Sequence, residues 1–211
     1  MLTGKKIVLG VSGGIAAYKM ANVASMLSKL HADIHVVMTE NATHFITPET
    51  FEVLTGNHCY TDTFDRCMEL HVPHIALGTQ ADAILIAPAS ADVVGKIANG
   101  IADDMLTTCV LPATCPVMLA PSMNVHMYEN PIVQDNMKKL ASYGYEIIEA
   151  DEGYLACRDI GKGKLPPEHV LVDYIIRACA MDKDLAGKKV LVTAGATQES
   201  IDPVRYITNH S

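Results

Sequence analysis

Five mostly apolar runs with helical patterns between them constrain this chain more than any other feature. They lie at residues 6–11, 34–38, 83–87, 117–120 and 145–148, and Ala83-Ile84-Leu85-Ile86-Ala87 is the purest of them. A strand apolar on both sides must be covered on both sides, as in a parallel sheet flanked by helices. Helical patterns fall at residues 15–30, 91–98, 103–111, 131–143 and 167–180, with Gly144 placed to end the fourth of these. Alternation of this kind, with right-handed crossovers, specifies an α/β fold: an open, doubly wound parallel sheet of Rossmann-like form. Pro88 is expected to end the third strand, and the run 115–120 to form an edge of the sheet.

Two segments depart from the pattern. Residues 151–166 are rich in glycine and charge and long for a connection inside a compact domain, which favours a functional lid. After residue 181 a polar stretch, Asp182-Lys183-Asp184, leads to a further expected strand at 190–193. The expected division is therefore one domain over residues 1–181, then a linker and the truncated start of a second over 182–211.

The 211 residues are 49% hydrophobic and carry a net charge of −8, which speaks against a nucleic-acid surface. No apolar run is long enough to span a bilayer and the N-terminus leads straight into a strand, so the expectation is a cytoplasmic protein without a membrane partner. Six scattered cysteines form no C-x-x-C pair and read as reduced, mostly small core residues. His71 and His74 are spaced H-x-x-H, but nothing nearby completes a metal site, so none is expected.

Where chemistry should sit follows from the fold, because such sheets bind ligands beyond the carboxyl ends of their strands. The first strand ends in Ser12-Gly13-Gly14-Ile15, small residues that let backbone N–H groups approach a phosphate at a helix start. A tight turn that simply needs glycine would look the same. Thr39 ends the second strand with a hydroxyl, and Ser90-Ala91-Asp92-Val93 opens a helix after the third. Three such strand ends favour a mononucleotide phosphate site, whereas the absence of G-x-G-x-x-G weakens a dinucleotide reading.

Beyond the fourth strand, Pro121-Ser122-Met123-Asn124 places an uncharged amide on the same edge. It is either a plain polar turn or a group suited to positioning a carboxylate that must later leave, since an Arg would stabilise the anion and oppose its loss. His74 precedes the third strand and is either structural or a pocket imidazole able to steer a proton near neutral pH. Cys157 differs from the other cysteines in lying in the glycine-rich segment, beside Arg158, a cation that favours its thiolate. It is either reactive or incidental.

Taken together, GVSGGIAAYK from Gly10, the His74 segment, APASADVVGKIANGIADDMLTT from Ala87, PSMNVHMY from Pro121 and GYLACRDIGKGKLP from Gly153 resemble the homo-oligomeric flavin-containing cysteine decarboxylases. Within that family they are most similar to phosphopantothenoylcysteine decarboxylase domains of bifunctional coenzyme A biosynthesis proteins. The resemblance spans nearly all of residues 1–180, with Tyr128 where the family often has Trp and Asp92 where many members have Asn. The stretch from Gly187 resembles the start of the synthetase domain that follows in bacterial fusions, and no synthetase activity is expected from so short a piece.

The resemblance implies FMN as cofactor, held by Ser12, Gly13, Gly14, Ile15, Thr39, Ser90, Ala91, Asp92 and Val93. It implies 4′-phosphopantothenoylcysteine as substrate, bound at Met123, Asn124 and Met127, with Cys157, His74 and Asn124 catalytic. The implied chemistry is thiol oxidation to a thioaldehyde, decarboxylation to an enethiolate, protonation by Cys157 and re-reduction to 4′-phosphopantetheine. A homotrimer or dodecamer is implied, with interfaces that complete the flavin site. The alternative is a non-catalytic, FMN-binding regulatory subunit of the same fold.

Overall fold

The computed structural model describes residues 1–64, 72–154, 159–180, 184–185, 187–196 and 198–208. Chain order runs β1 (Lys6–Val11), a 3-10 turn (Ile15–Tyr18), α1 (Lys19–Lys29), β2 (Asp33–Met38), α2 (Glu40–Thr43), α3 (Pro48–Thr55), β3 (Cys59–Tyr60), α4 (Pro73–Gln80) and β4 (Ala83–Ala89). It continues through α5 (Ala91–Ala98), α6 (Met105–Val110), β5 (Val117–Pro121), α7 (Val125–Tyr128), α8 (Pro131–Ser142), β6 (Glu146–Ile147), β7 (Asp151–Tyr154), β8 (Ile160–Lys164) and α9 (Glu168–Cys179). Six strands form one parallel sheet in the order β3-β2-β1-β4-β5-β6. The expected doubly wound α/β fold is thus present, and the strand order reverses between β1 and β4.

Both faces are covered because the strands are apolar on both. Ile7, Leu9 and Val11 of β1 and Leu85 and Ala87 of β4 pack on one side against α1, α3 and α9, through Met20, Leu27, Phe51, Leu171 and Ile175. Val8, Ile84 and Ile86 face the other way, against Leu77, Val94, Leu106 and Leu140 of α4, α5, α6 and α8. Local chemistry fixes the helix ends. Ser90 caps α5 by accepting from the Val93 N–H, and Asp104 forms a capping box with Thr107 at the start of α6. Gly144, with φ +92°, follows the last residue of the α8 cap in the left-handed conformation expected of it.

Three sequence expectations are corrected. The β4 strand runs through Pro88 to Ala89. Its register to β5 shifts between Ile86 and Ala89, so proline falls at an irregularity where no ladder donor is needed. Nor is β5 an edge: the two residues of β6 pair beside Met118 and Leu119, leaving β3 and β6 as the outer strands. Residues 190–193 form no strand, and Val190, Leu191 and Val192 are exposed. An apolar run without a neighbouring strand to pair with has nothing to hold it extended.

The chain separates into two compact units, Met1–Met181 and Asp182–Ser211. Within the second, β9 (Gln198–Ser200) and β10 (Tyr206–Thr208) make an antiparallel pair. Asp202 closes its turn by accepting from the N–H groups of Val204 (2.9 Å) and Arg205 (2.8 Å), bonds that lower its carboxyl pKa. No helix among the described residues is long and apolar enough to cross a membrane.

Candidate functional site

The turn after β1 is tied to the turn after β4 by one hydroxyl. Ser12 is fully buried; its Oγ donates to the Pro88 carbonyl (2.7 Å) and accepts from the Ser90 N–H (2.9 Å). It therefore holds the two loops of the switch point together and presents none of its own surface. Gly13 lies so close to α2 that a Cβ there would come 2.6 Å from the Asn41 Cβ, so this glycine is required by packing. Gly14 is different. Its φ of 176° is extended backbone open to any residue, and an added Cβ would meet nothing nearer than Pro88 at 4.0 Å. Neither conformation nor packing demands a glycine at 14; the space above it is open.

That space is a cleft of about 510 Å³ at the carboxyl edge of the sheet, within the size range of cofactor sites. Gly13, Gly14 and Ile15 line it from β1, Ser90 and Ala91 from β4, and Met123, Asn124 and Met127 from the loop and helix after β5. Ala16, Tyr18, Lys19, Ser122, Tyr154, Gly163, Lys164 and Leu165 complete the lining, none of them among the site residues expected from sequence. The Tyr18-Lys19 pair extends the small-residue turn into the first helix and was the available signal for one side. For Gly163 and Lys164 the signal was the glycine-rich segment 151–166, but their place on the cleft depends on how β8 docks. Among the described residues the lining carries two lysines and no carboxylate, in a protein of net charge −8. Neither Lys19 nor Lys164 has an ion-pair partner among the described residues.

Asn124 is held from both ends of its amide. It caps α7, its Oδ1 accepting from the His126 N–H at 2.9 Å, and its Nδ2 donates to the Asp159 carboxylate at 3.0 Å. Asp159 directly precedes β8, which pairs antiparallel with β7 in the segment expected to be a lid. This strand is closely docked. The Met123 N–H donates to the Gly163 carbonyl at 3.0 Å, and a Cβ on Gly163 would sit 2.3 Å from the Met123 carbonyl oxygen. At Gly161 a Cβ would meet Val125 at 2.6 Å.

The other described candidates do not line the cleft. Thr39 follows β2 at the N-cap position of α2, is only 7% exposed, and its Oγ1 has no hydrogen-bond partner among the described residues. Such an orphaned hydroxyl near the Gly13 turn fits an anion. Val93 is in the core behind Ser90, and Asp92 pairs with Lys96 at 3.3 Å. His74 stands in the first turn of α4 with a buried Nδ1 that has no partner among the described residues, and it does not line the cleft. Cys157 lies outside the described residues, as does Cys67. Cys59 and Cys109 are core thiols whose burial pushes their pKa up to about 12, which makes them unreactive near neutrality. No cluster of three metal-ligating side chains occurs among the described residues.

Sheet order and cleft define the class as a doubly wound α/β protein of the flavoprotein type. The chain belongs to the Flavoprotein family, whose profile matches residues 1–180. Residues 185–211 match the C-terminal domain of the DNA/pantothenate metabolism flavoproteins. The coenzyme A biosynthesis bifunctional protein CoaBC of Bacillus subtilis is 48% identical over the whole chain, which covers 52% of that protein. The chain thus spans about half the length of the curated relatives it matches. Among solved structures, a cysteine-to-serine variant of PPC decarboxylase complexed with pantothenoylaminoethenethiol superposes with a TM-score of 0.73 at 29% identity, covering 81% of this chain and 96% of that one. The FMN-dependent cysteine decarboxylase SpaF superposes with a TM-score of 0.71 at 34% identity, covering 83% and 99%.

Proposed function

We propose that residues 1–181 bind FMN non-covalently and decarboxylate 4′-phosphopantothenoylcysteine to 4′-phosphopantetheine in coenzyme A biosynthesis. The observation that carries this reading is Asn124: on the switch-point cleft, its uncharged Nδ2 already holds a carboxylate at 3.0 Å. Lys19 and Lys164 supply positive charge for ligands that carry phosphate. The cofactor fits the features of the β1 edge: open space over Gly14, the orphaned Thr39 hydroxyl, and the family to which the chain belongs.

When bound, FMN supplies the reversible two-electron oxidation that turns the CH2–SH carbon into a thioaldehyde β to the carboxylate, so that loss of carbon dioxide leaves a delocalised enethiolate. Asn124 orients the carboxylate without adding a cation that would oppose its departure. Cys157 delivers the proton to the enethiolate carbon, and His74 assists thiol deprotonation. Because His74 does not line the cleft of its own chain, we assign it to the cleft of a neighbouring subunit in a homo-oligomer. The enethiol bound by the serine variant of PPC decarboxylase is the species this sequence of steps leaves when the cysteine proton donor is absent.

Purified protein is expected to absorb as a flavoprotein and to form a product lighter than the substrate by one carbon dioxide. A flavin-loaded protein that binds the substrate without releasing carbon dioxide would instead be a regulatory subunit. The two glycines separate fold from ligand. Gly14→Ala should unfold with the wild type, yet lose flavin affinity by about tenfold or more, because its methyl group enters space reserved for the cofactor. Gly13→Ala should lose about 1–3 kcal/mol of stability from overpacking against α2. Denaturant unfolding and flavin titration on both variants check this; equal flavin affinity in Gly14→Ala would move the cofactor elsewhere.

A further inference from the structure

We infer that Asp159 is an internal competitor for the substrate's carboxylate: it occupies the Asn124 amide in the free protein, is displaced when substrate binds, and returns once carbon dioxide has left. The inference rests on the proposed role of Asn124. Its starting point is the 3.0 Å bond from Asn124 Nδ2 to Asp159 Oδ2, which joins residues 35 apart in sequence at the edge of the cleft. A carboxylate held there is chemically what the substrate would present.

Asp159 and the substrate carboxylate cannot both occupy the amide without like-charge repulsion at close range. The surroundings make exchange possible without dismantling the site. The Asn124 Oδ1 bond to the His126 N–H keeps the amide plane fixed by α7 whichever anion it holds. Strand β8 is anchored independently of Asp159, by the Met123–Gly163 hydrogen bond and the close approach of Gly161 to Val125. Release of Asp159 therefore leaves the docked strand in place. Lys19 and Lys164 keep the cleft favourable to an incoming anion while Asp159 is still seated.

The exchange has a direction. Substrate brings a carboxylate and competes with Asp159; product has none and does not. Asp159 thus weakens substrate binding but leaves product binding alone, and its return to Asn124 removes the vacancy created when carbon dioxide departs. Differential ground-state binding of this kind lets the reaction proceed without an over-stabilised substrate complex.

The test uses two ligands that the FMN-loaded protein does not turn over: 4′-phosphopantothenoylserine, which keeps the carboxylate and lacks the thiol, and 4′-phosphopantetheine, which lacks the carboxylate. Calorimetric affinities are measured for the wild type, Asp159→Ala and the isosteric Asp159→Asn, with flavin content and thermal unfolding as folding controls. Both variants should bind the serine analogue more tightly by about tenfold or more, the scale of a lost charge-assisted hydrogen bond, with phosphopantetheine affinity changed less than twofold. Parallel weakening of both ligands would make Asp159 a structural brace, and selective weakening of the serine analogue would make it a positioning residue retained in the complex. Unchanged affinities would remove the competition outright. A wild-type protein that binds neither ligand overturns the substrate reading and this inference with it, whereas binding of both with no gain in the variants overturns the inference alone.

Discussion

Cys157→Ser is expected to halt turnover two hydrogens short of product. Oxidation of the substrate thiol and loss of carbon dioxide need Asn124, His74 and the flavin, none of which the change replaces. Protonation of the enethiolate carbon needs an acid, and an alcohol is far weaker than a thiol, whose ordinary pKa is about 8.5. Under anaerobic conditions the variant should accumulate an enethiol two hydrogens lighter than phosphopantetheine, together with bleached flavin absorbance. Phosphopantetheine formation should fall by about two orders of magnitude or more, the range in which a positioned general acid contributes. His74→Asn should fail earlier, with the flavin remaining oxidised. Mass spectrometry and absorbance at the same time points separate the two, and wild-type phosphopantetheine formation by Cys157→Ser would make this thiol a bystander.

That such a test can be framed from sequence reflects which parts of the fold are written locally. Burial on both faces forces continuous apolar runs, so β1, β2, β4, β5 and β6 were legible as runs, as were the helix start at Ser90 and the helix-ending Gly144. Because the fold itself fixes where ligands bind, Gly13, Gly14, Ser90 and Asn124 can be placed on one edge from sequence. What was lost depends on tertiary contacts. The shift in register that lets β4 continue through Pro88 is a property of its pairing with β5. Strands β7 and β8, Asp-Glu-Gly-Tyr and Ile-Gly-Lys-Gly-Lys, show no apolar alternation. Their docking relies on glycines pressed against Met123 and Val125, which no sequence pattern announces. Lys164 and the Asp159–Asn124 bond were hidden for the same reason.

Polar residues behaved in the same way. Ser12 was a natural phosphate ligand by position, yet its hydroxyl is spent on Pro88 and Ser90 and its surface is fully covered. Thr39, equivalent by sequence, keeps a buried hydroxyl with no partner among the described residues. Which of two similar hydroxyls remains available to a ligand is decided by what the neighbouring strand end presents, and that follows only from the packed sheet.

The same reasoning makes Asn124→Asp the most informative single change. Aspartate caps helices as well as asparagine does, so the bond to the His126 N–H and the start of α7 should survive. The other end of the side chain is where the change acts. An oxygen replaces the Nδ2 that donates to Asp159 at 3.0 Å, so two carboxylates face each other in the free protein, and the substrate's carboxylate would be a third negative group on arrival. Like-charge contacts of this kind cost several kcal/mol, so kcat/KM should fall by about a hundredfold or more while flavin stays bound. Adding Asp159→Asn to this variant separates the two repulsions. The amide introduced at 159 can donate to the carboxylate introduced at 124, which should restore thermal stability. It leaves that carboxylate facing the substrate, so activity should remain lost. Recovery of activity along with stability would mean that the substrate carboxylate is held by another group, and that Asn124 serves only to seat the strand that follows Asp159.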